Sequence, residues 1–459
     1  MPADYDFVII GYSETGIYAA IQAARKRARV ALVAQNCQPK ILRGHVLSRF
    51  AKTFYQASRS RSFLDCDVRS LQLDAVNRYV DAIAQSHQEF YDPAKLEGLG
   101  IEFISGSGEF CRKPQTGFAV NGRILRSRSY LIATDYTPTI PAFLEPSAIP
   151  FLTPDSIVTE IPKSITIIGD DPVGVELAQV YSRLGAQVTM LIRQPHLLAI
   201  ADLEAAFLVQ AALEAEGIRV INTLHIRGIQ QNGTQKIIEI ENTTIETDEV
   251  LIATGWQPIL SNLNLPAMGI QEPIQLNDRL QTAHPRVYWI THPVGSIARY
   301  QSDVVIKNLS SLPIFKVDYD RVVQSVATDP EFAWIGLTET QAIRRYRRDV
   351  IVLRQPFHSL MQAQITGATT GLCKLIVRRD GRMVGAHIVG DGAIELIHLI
   401  SLAMSENLKL QFFDRFSYAS PALSEIFKNA AHQWRSLRRN NFLQDLQESY
   451  FAWQRGRVR

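Results

Sequence analysis

Two short stretches, VIIGYSETG at residues 8–16 and IIGDDPVG at 167–174, hold glycines at a spacing suited to cradling a pyrophosphate. Each continues an apolar run and opens a segment that reads as helix. In the pattern G-x-G-x-x-G the first glycine makes the turn and the second lets backbone approach the phosphates. The third lets the helix pack closely on the strand. The helix N-terminus then presents its unpaired N–H groups to the anion. Gly11 and Gly16 fill the outer positions of the first turn, with Ser13 in the middle. A serine hydroxyl there can donate to a phosphate oxygen. Glu14 follows, an acid at a helix start being electrostatically favoured.

In the second turn Gly169 and Gly174 keep the outer positions, while the middle one is Asp171, beside Asp170. A carboxylate about 4 Å from a phosphate is repelled by ~1 kcal/mol in water and ~4 kcal/mol in a semi-buried site. The second cradle therefore reads as the less welcoming, and Asp171→Gly is expected to raise nucleotide affinity about tenfold. Arg193 ends the following strand, where an enzyme using NAD would carry an acid. With His196 it suits a 2′-phosphate, which points to NADPH. An exposed arginine at a strand end is the plainer alternative.

Other reactive side chains are scattered. Cys37, Cys66, Cys111 and Cys373 form no C-x-x-C pair and read as reduced intracellular thiols. Histidines 284, 292, 358, 387, 398 and 432 lack metal-ligand spacing and read as structural or surface residues, so no metal is expected. RRYRRD at 344–349 reads as a solvated helix end.

The elements that must position these residues follow from the pattern of the chain. At 459 residues two or three domains are expected. A net charge of +3 gives no reason to expect nucleic acid as a partner, and no apolar run reaches transmembrane length. The first residues, with Asp4 and Asp6, do not read as a secretion signal, so a cytoplasmic location is expected. Strand, glycine turn, Ala-rich helix and strand occur in order over DFVIIGYSETGIYAAIQAARKRARVALVAQ, and again over 164–193. Such βαβ units imply parallel sheets with crevices at their C-terminal edges. Downstream of each lies a similar tag, YLIATDYTP at 130–138 and VLIATGWQP at 250–258. From residue 313 the texture changes to alternating strands (371–390) and a helix (393–405), an α+β arrangement. Residues 434–459 carry Leu443, Leu446, Tyr450 and Trp453 at helical spacing among arginines. This basic aromatic tail reads as a helix for a protein or membrane surface, or as one packed on its own dimer.

Over roughly residues 5–431 the chain resembles the pyridine nucleotide-disulfide oxidoreductases, flavoproteins similar in flavour to mercuric and glutathione reductases. The most specific stretches are ATDPEFAWIGLTETQA (327–342), GLCKLIVRRDGRMVGAHIVGDGAIELI (371–397) and GVELAQVYSRLGAQVTMLIR (174–193). The resemblance implies an α/β fold with two Rossmann-like dinucleotide-binding domains, of FAD and NAD(P) type, and a C-terminal α+β dimerisation domain. Residues 1–150 and 256–312 would form the FAD-type domain and 151–255 the NAD(P)-type domain. Residues 313–432 would form the dimerisation domain of a homodimer, with 433–459 as the tail.

The resemblance also implies where chemistry should sit, and several of those positions are altered. The redox pair C-x4-C is represented by Cys37 alone, and Lys40 or Lys52 would replace the lysine near the flavin. The motif His-Pro-Thr-x-x-Glu is SPALSE at 420–425, which keeps Pro421 and Glu425 but puts Ser420 at the histidine. A serine does not titrate near neutral pH and cannot shuttle the proton. Ala34 stands where an acid would hold the adenosine ribose, and Thr291 and His292 replace the Gly-Asp that contacts the flavin's ribityl chain. Thr254 and Gly255 of the ATG tag are intact, and Glu176 falls where the family's glutamate meets the flavin-side lysine.

The cofactor positions expected are thus Gly11, Ser13, Gly16, Thr254 and Gly255 on the FAD side. Gly169, Gly174, Glu176 and Arg193 are expected on the NADPH side. No residue is assigned a catalytic role, and no glutathione, lipoamide or mercuric reductase activity is expected. Two readings follow. One is an NAD(P)H oxidoreductase passing electrons through FAD to a small acceptor without a disulfide. The other is an inactive dimeric relative kept for binding or as a scaffold.

Overall fold

The computed structural model describes residues 3–35, 43–59, 72–113, 115–144, 149–156, 160–223, 225–241, 243–293, 295–438 and 450–455. From the N-terminus run β1 (Tyr5–Ile10), α1 (Glu14–Arg25), β2 (Val30–Val33), α2 (Arg43–Arg59), β3 (Ile101–Ile104) and β4 (Ser127–Ile132). Next along the chain come β5 (Ser164–Ile168), α3 (Pro172–Arg183), β6 (Gln187–Ile192), α4 (Leu203–Ala215), β7 (Arg219–Asn222) and β8 (Glu249–Ile252). The chain continues with β9 (Val287–Trp289), α5 (Gly295–Ser310), β10 (Gln324–Val326), β11 (Phe332–Gly336) and α6 (Glu339–Tyr346). Then come β12 (Val350–Pro356), β13 (Leu372–Arg378), β14 (Met383–Val389), α7 (Ala393–Ser405) and α8 (Glu425–Arg438).

The chain divides into two units, residues 1–198 with 213–322 and residues 199–212 with 323–459. The first holds two parallel sheets. One has the order β9-β4-β1-β2-β3, the other β7-β6-β5-β8. Strand β1 shows why this sequence makes such a sheet. Phe7 and Ile9 pack on one face with Ile17, Ala20 and Ala23 of α1, while Val8 and Ile10 pack on the other with Phe110, Phe118 and Tyr130. A strand buried on both faces reads as a continuous apolar run, and the alanines let the helix lie close.

The second unit holds an antiparallel sheet of order β10-β11-β14-β13-β12. One face carries Ile335, Leu353, Leu375 and Ile388 against Ile397, Ile400, Phe427 and Trp434 of α7 and α8. Trp434, grouped with the tail by its sequence, is thus a core residue, only 4% exposed. The opposite face carries Arg354, Lys374 and His387 in adjacent register across β12, β13 and β14. The expected fold class holds, and the strands and helix expected over 371–390 and 393–405 are β13, β14 and α7. Among the described residues no helix is long and apolar enough to cross a membrane.

Candidate functional site

At the end of β1, Gly11 (φ +123°) turns the chain into α1. A Cβ there would stand 2.2 Å from the Ala133 carbonyl oxygen, and one on Gly16 would stand 2.0 Å from that of Gly11. Close packing of strand, turn and helix therefore requires both glycines by itself. Ser13 is the N-cap of α1. Its Oγ accepts from the Gly16 N–H at 3.0 Å and donates to the Ala133 carbonyl at 2.6 Å. Its single O–H is spent on backbone and the residue is buried, so the expected donation to a phosphate is not the arrangement found. Turned inward, the side chain leaves the outer face of the turn to backbone.

Glu14, in the first helical turn, pairs with Arg299 of α5 at 2.6 Å, which offsets its charge at the start of α1. Thr15 donates to the Pro293 carbonyl at 3.1 Å. Thr134, which follows Ala133 at the end of β4, keeps a buried hydroxyl with no hydrogen-bond partner. The Thr134 backbone nitrogen is 2.7 Å from where a Gly11 Cβ would be.

Farther along the same sheet edge, the altered positions are held by internal bonds. Gln301 is fully buried; its Nε2 donates to Thr291 Oγ1 at 2.7 Å and its Oε1 accepts the Thr291 N–H at 2.9 Å. His292 has Nδ1 3.1 Å from Thr291 Oγ1, and partial burial depresses its pKa, favouring a neutral imidazole where the resemblance implies an aspartate. After β2, Ala34 offers a methyl group. The next side chain, Gln35, bonds the backbone of Gly108 through both its amide nitrogen (3.0 Å) and its oxygen (2.9 Å).

The second turn opens onto a cleft of about 520 Å³ at the C-terminal ends of β5, β6 and β7. Gly169, Asp170, Arg193, Thr223, His225 and Thr254 are among its lining residues. This is where an open parallel sheet places ligands. Arg193 lies on the lip and is exposed. His196 does not join it; that residue is buried with Nδ1 2.8 Å from the Leu197 carbonyl oxygen. The histidine on the cleft is His225, three residues past β7. Its place at a C-terminal strand edge was the sequence signal for it.

Asp171 also differs from expectation. It is the N-cap of α3, with its carboxylate accepting from the Val173 N–H at 3.1 Å, and Asp170 is the acid that lines the cleft. The extended backbone of an N-cap turns its side chain back over the first helical turn. Burial, opposed by the Val173 N–H and Trp256, and aided by Glu176 and Asp170, pushes the Asp171 carboxyl up to about 6. A raised acid binds a proton more tightly folded than unfolded, so stability falls as pH rises through the window between 3.8 and about 6. Asp171→Asn keeps a capping oxygen and removes the charge. It is expected to stabilise the protein by up to about 3 kcal/mol at pH 7.5 and by almost nothing at pH 3. Denaturant titrations at both pH values check this, and equal effects at the two would sink it.

The remaining expected residues are placed as follows. Gly169 (φ +112°) would carry a Cβ 2.1 Å from the Ala253 carbonyl oxygen, and Gly174 one 2.4 Å from the Ala253 Cβ. Thr254 donates to the Thr139 carbonyl at 2.7 Å, on the lip of the second cleft, and Gly255 (φ +103°) turns the chain away from it. Glu176 is buried in α3. The helix bearing Lys52, α2, packs on α3, with Arg183 over the Tyr55 ring at 4.4 Å. In the second unit Ser420 is exposed, and Glu425 accepts from the Ala422 N–H at 3.1 Å, bracing the start of α8. Cys37, Lys40, Cys66, Leu443 and Leu446 lie outside the described residues. Among the described residues no cluster of three or more His, Cys, Asp or Glu could hold a metal ion.

Comparison with known proteins adds a family. The model described as pyridine nucleotide-disulphide oxidoreductase matches residues 5–302, and its dimerisation-domain model matches residues 322–431. A mercuric reductase of Staphylococcus aureus is 29% identical over 438 residues, covering 89% of this chain and 78% of that protein. A dihydrolipoyl dehydrogenase of Synechocystis is 27% identical over 473 residues, covering 93% and 98%. Among solved structures, LpdA of Mycobacterium tuberculosis superposes with a TM-score of 0.81 at 19% identity, covering 93% of this chain and 99% of that one. The HOCl-induced flavoprotein disulfide reductase RclA of Escherichia coli gives a TM-score of 0.77 at 23% identity, with coverage of 93% and 99%.

Proposed function

The chain belongs to the pyridine nucleotide-disulphide oxidoreductases, and on that premise we propose that it is an FAD-dependent NAD(P)H oxidoreductase working without a redox disulfide. In this reading residues 1–150 and 256–312 form the FAD-type domain, 151–255 the NAD(P)-type domain and 313–432 the dimerisation domain of a cytoplasmic homodimer. The observation that carries the reading is the cleft at the ends of β5, β6 and β7, with Arg193 on its lip. It has the position and size for a nicotinamide nucleotide.

The first turn fits FAD on one observation in particular. The hydroxyl of Thr134, a residue whose backbone borders Gly11, is buried and unpartnered, and a bound group would provide the hydrogen-bond partner. Backbone of the turn from Gly11 to Gly16 would hold the pyrophosphate, with Arg299 close by at the start of α1. FAD, when bound, supplies hydride acceptance and onward electron transfer. The protein's part is to hold the two nucleotides, with the Glu14 charge offset by Arg299 and the half-buried His292 favoured in its uncharged form. With Cys37 lacking a nearby second cysteine and Ser420 unable to shuttle a proton, the acceptor would be a small molecule such as a quinone, not a disulfide.

A second reading, an inactive dimeric relative serving as a binding or scaffold protein, is favoured by a different observation. Ser13 and Gln301 already satisfy the polar groups around them, which lessens what a cofactor would contribute there. The visible spectrum separates the two. We expect purified protein to carry the absorption bands of oxidised flavin, bleached by NADPH without oxygen. Thiol counts before and after NADPH should be equal. A colourless protein that takes up no added FAD supports the second reading, and an NADPH-dependent gain of two thiols overturns the disulfide-free mechanism.

A further inference from the structure

Two segments of the second unit, RRYRRD at 344–349 and RRDGR at 378–382, hold seven arginines and two aspartates, against a net charge of +3 for the whole chain. Strand pairing sets them side by side, with Val350 at the start of β12 opposite Arg378 at the end of β13. The two aspartates are engaged in holding the segments in place. Asp349 accepts from Arg378 Nε at 2.7 Å and from the Arg379 N–H at 3.1 Å, and Asp380 accepts from the Arg382 N–H at 3.0 Å. Arg379 Nε donates across to the Arg348 carbonyl at 3.0 Å. Arg344, Arg347, Arg348 and Arg382 are exposed, and among the described residues the first three pair with no carboxylate. Arg347 has φ +52°, a left-handed backbone that a glycine would hold with less strain. A charged side chain is presented there in spite of that strain.

The C-terminal helix ends near the same edge. Trp434 of α8 packs on the turn between β13 and β14, where a Cβ on Gly381 would stand 2.9 Å from its ring, and α8 stops at Arg438, about one turn farther on. The dimerisation-domain model shared with the family stops at residue 431. Beyond it, residues 450–455 are helical, with Tyr450, Phe451 and Trp453 each more than half exposed and Arg455 among them.

We infer that the arginine edge and the aromatic extension together form a docking surface for a bilayer rich in anionic lipid. Arg344, Arg347, Arg348 and Arg382 would face the lipid phosphates, and Tyr450, Phe451 and Trp453 would enter the headgroup layer. A guanidinium meets phosphate through a fork of N–H donors. Aromatic rings, above all those with a polar tip, settle at headgroup depth. A nucleic acid duplex or an acidic protein would engage the arginines and leave the rings in water, whereas a bilayer takes up both. The inference holds equally for a flavoprotein and for an inactive relative.

The test floats the full-length protein with vesicles of phosphatidylcholine alone and of phosphatidylcholine with about one-third phosphatidylglycerol. Binding to the anionic vesicles is expected to be about a hundredfold tighter at low salt, and to weaken as salt is added. Arg344→Gln, Arg347→Gln and Arg348→Gln should each weaken it about fivefold, and together remove nearly all of the preference. These positions are exposed, so the triple variant should melt with the wild type. Phe451→Ser combined with Trp453→Ser should weaken binding to both kinds of vesicle about tenfold and leave the salt dependence as it was. Equal binding to the two kinds of vesicle, or a triple variant that binds like wild type, overturns the inference. A DNA duplex or polyglutamate bound tighter than anionic vesicles at equal charge concentration would overturn it too, and assign the edge to that polyanion. A Phe451→Ser, Trp453→Ser protein that loses its dimer would place the rings between copies of the chain instead.

Discussion

Lys374→Met is expected to lower the unfolding free energy by about 3–5 kcal/mol, the cost of removing one partner from a buried ion cluster. Lys374 lies on β13 with a side chain only 3% exposed, and its Nζ is 2.7 Å from Asp202, 2.7 Å from Glu339 and 2.9 Å from Glu204. Arg354, its register neighbour on β12, bonds both Glu204 and Glu339, while His387 on the other side is buried and kept neutral by that burial. Replacing the ammonium by an apolar chain leaves the buried Asp202 carboxylate without its cation, while Glu204 and Glu339, which are partly exposed, keep their bonds to Arg354.

The pH dependence has a sign on each side. Asp202 and Glu204 are held below the usual carboxylate range by bonds from Lys374, against the pull of burial. Their contribution is present above the unfolded values and is lost as pH falls through the folded ones. Lys374 is raised by its bonds to Asp202, Glu339 and Glu204, again against burial, so its contribution is full below its unfolded pKa. That contribution is lost as pH rises through the folded pKa. In Lys374→Met the two carboxylates should take up protons at higher pH, so the variant loses less than the wild type on acidification. Denaturation at pH 7 and pH 4 measures both quantities. A variant within about 1 kcal/mol of wild type at pH 7 would mean the cluster is replaceable by packing alone.

None of this cluster was legible in the sequence. In GLCKLIVRR the lysine alternates with apolar residues as an outward polar residue of a half-buried strand would, and Asp202 is 172 positions away. Ser13 teaches the same lesson at the candidate site. Its type and its place at a helix start were readable, but the side its hydroxyl faces is set by Ala133, 120 residues on. His196 and Asp171 are neighbours of cleft residues in sequence but not in space. Asp171 turned to cap α3 and His196 turned into the interior, while His225 arrived from the next strand. Trp434 directly precedes a run of arginines, yet its ring lies where a Cβ on Gly381 would be 2.9 Å away. What the sequence did carry was periodicity and punctuation. Apolar runs such as DFVII and SITII, each ended by a glycine, specify parallel strands buried on both faces, and the family's fold follows from their order.

Those punctuating glycines give the second large effect, and its size should vary with what each one touches. Gly169→Ala is expected to cost about 3–5 kcal/mol, the strain of a left-handed backbone plus overpacking. Its φ is +112°, and the new Cβ would lie 2.1 Å from the Ala253 carbonyl and 2.8 Å from the Thr254 nitrogen, atoms of a neighbouring strand end that cannot swing aside. Gly255→Ala is the control: φ is +103°, but nothing lies within 4 Å of the added carbon. It should cost only the conformational strain, about 1–2 kcal/mol. Because Gly169 also borders the cleft, its variant should lose NADPH binding along with stability, whereas Gly255→Ala should keep most of both. Thermal denaturation with and without the nucleotide reads the two effects together. If Gly169→Ala were no less stable than Gly255→Ala, strand and turn would not be in contact there, and the glycine would have to be explained by a ligand. A stable Gly169→Ala that loses only the nucleotide would make the same point from the other side, since packing and ligand make different demands on one missing side chain.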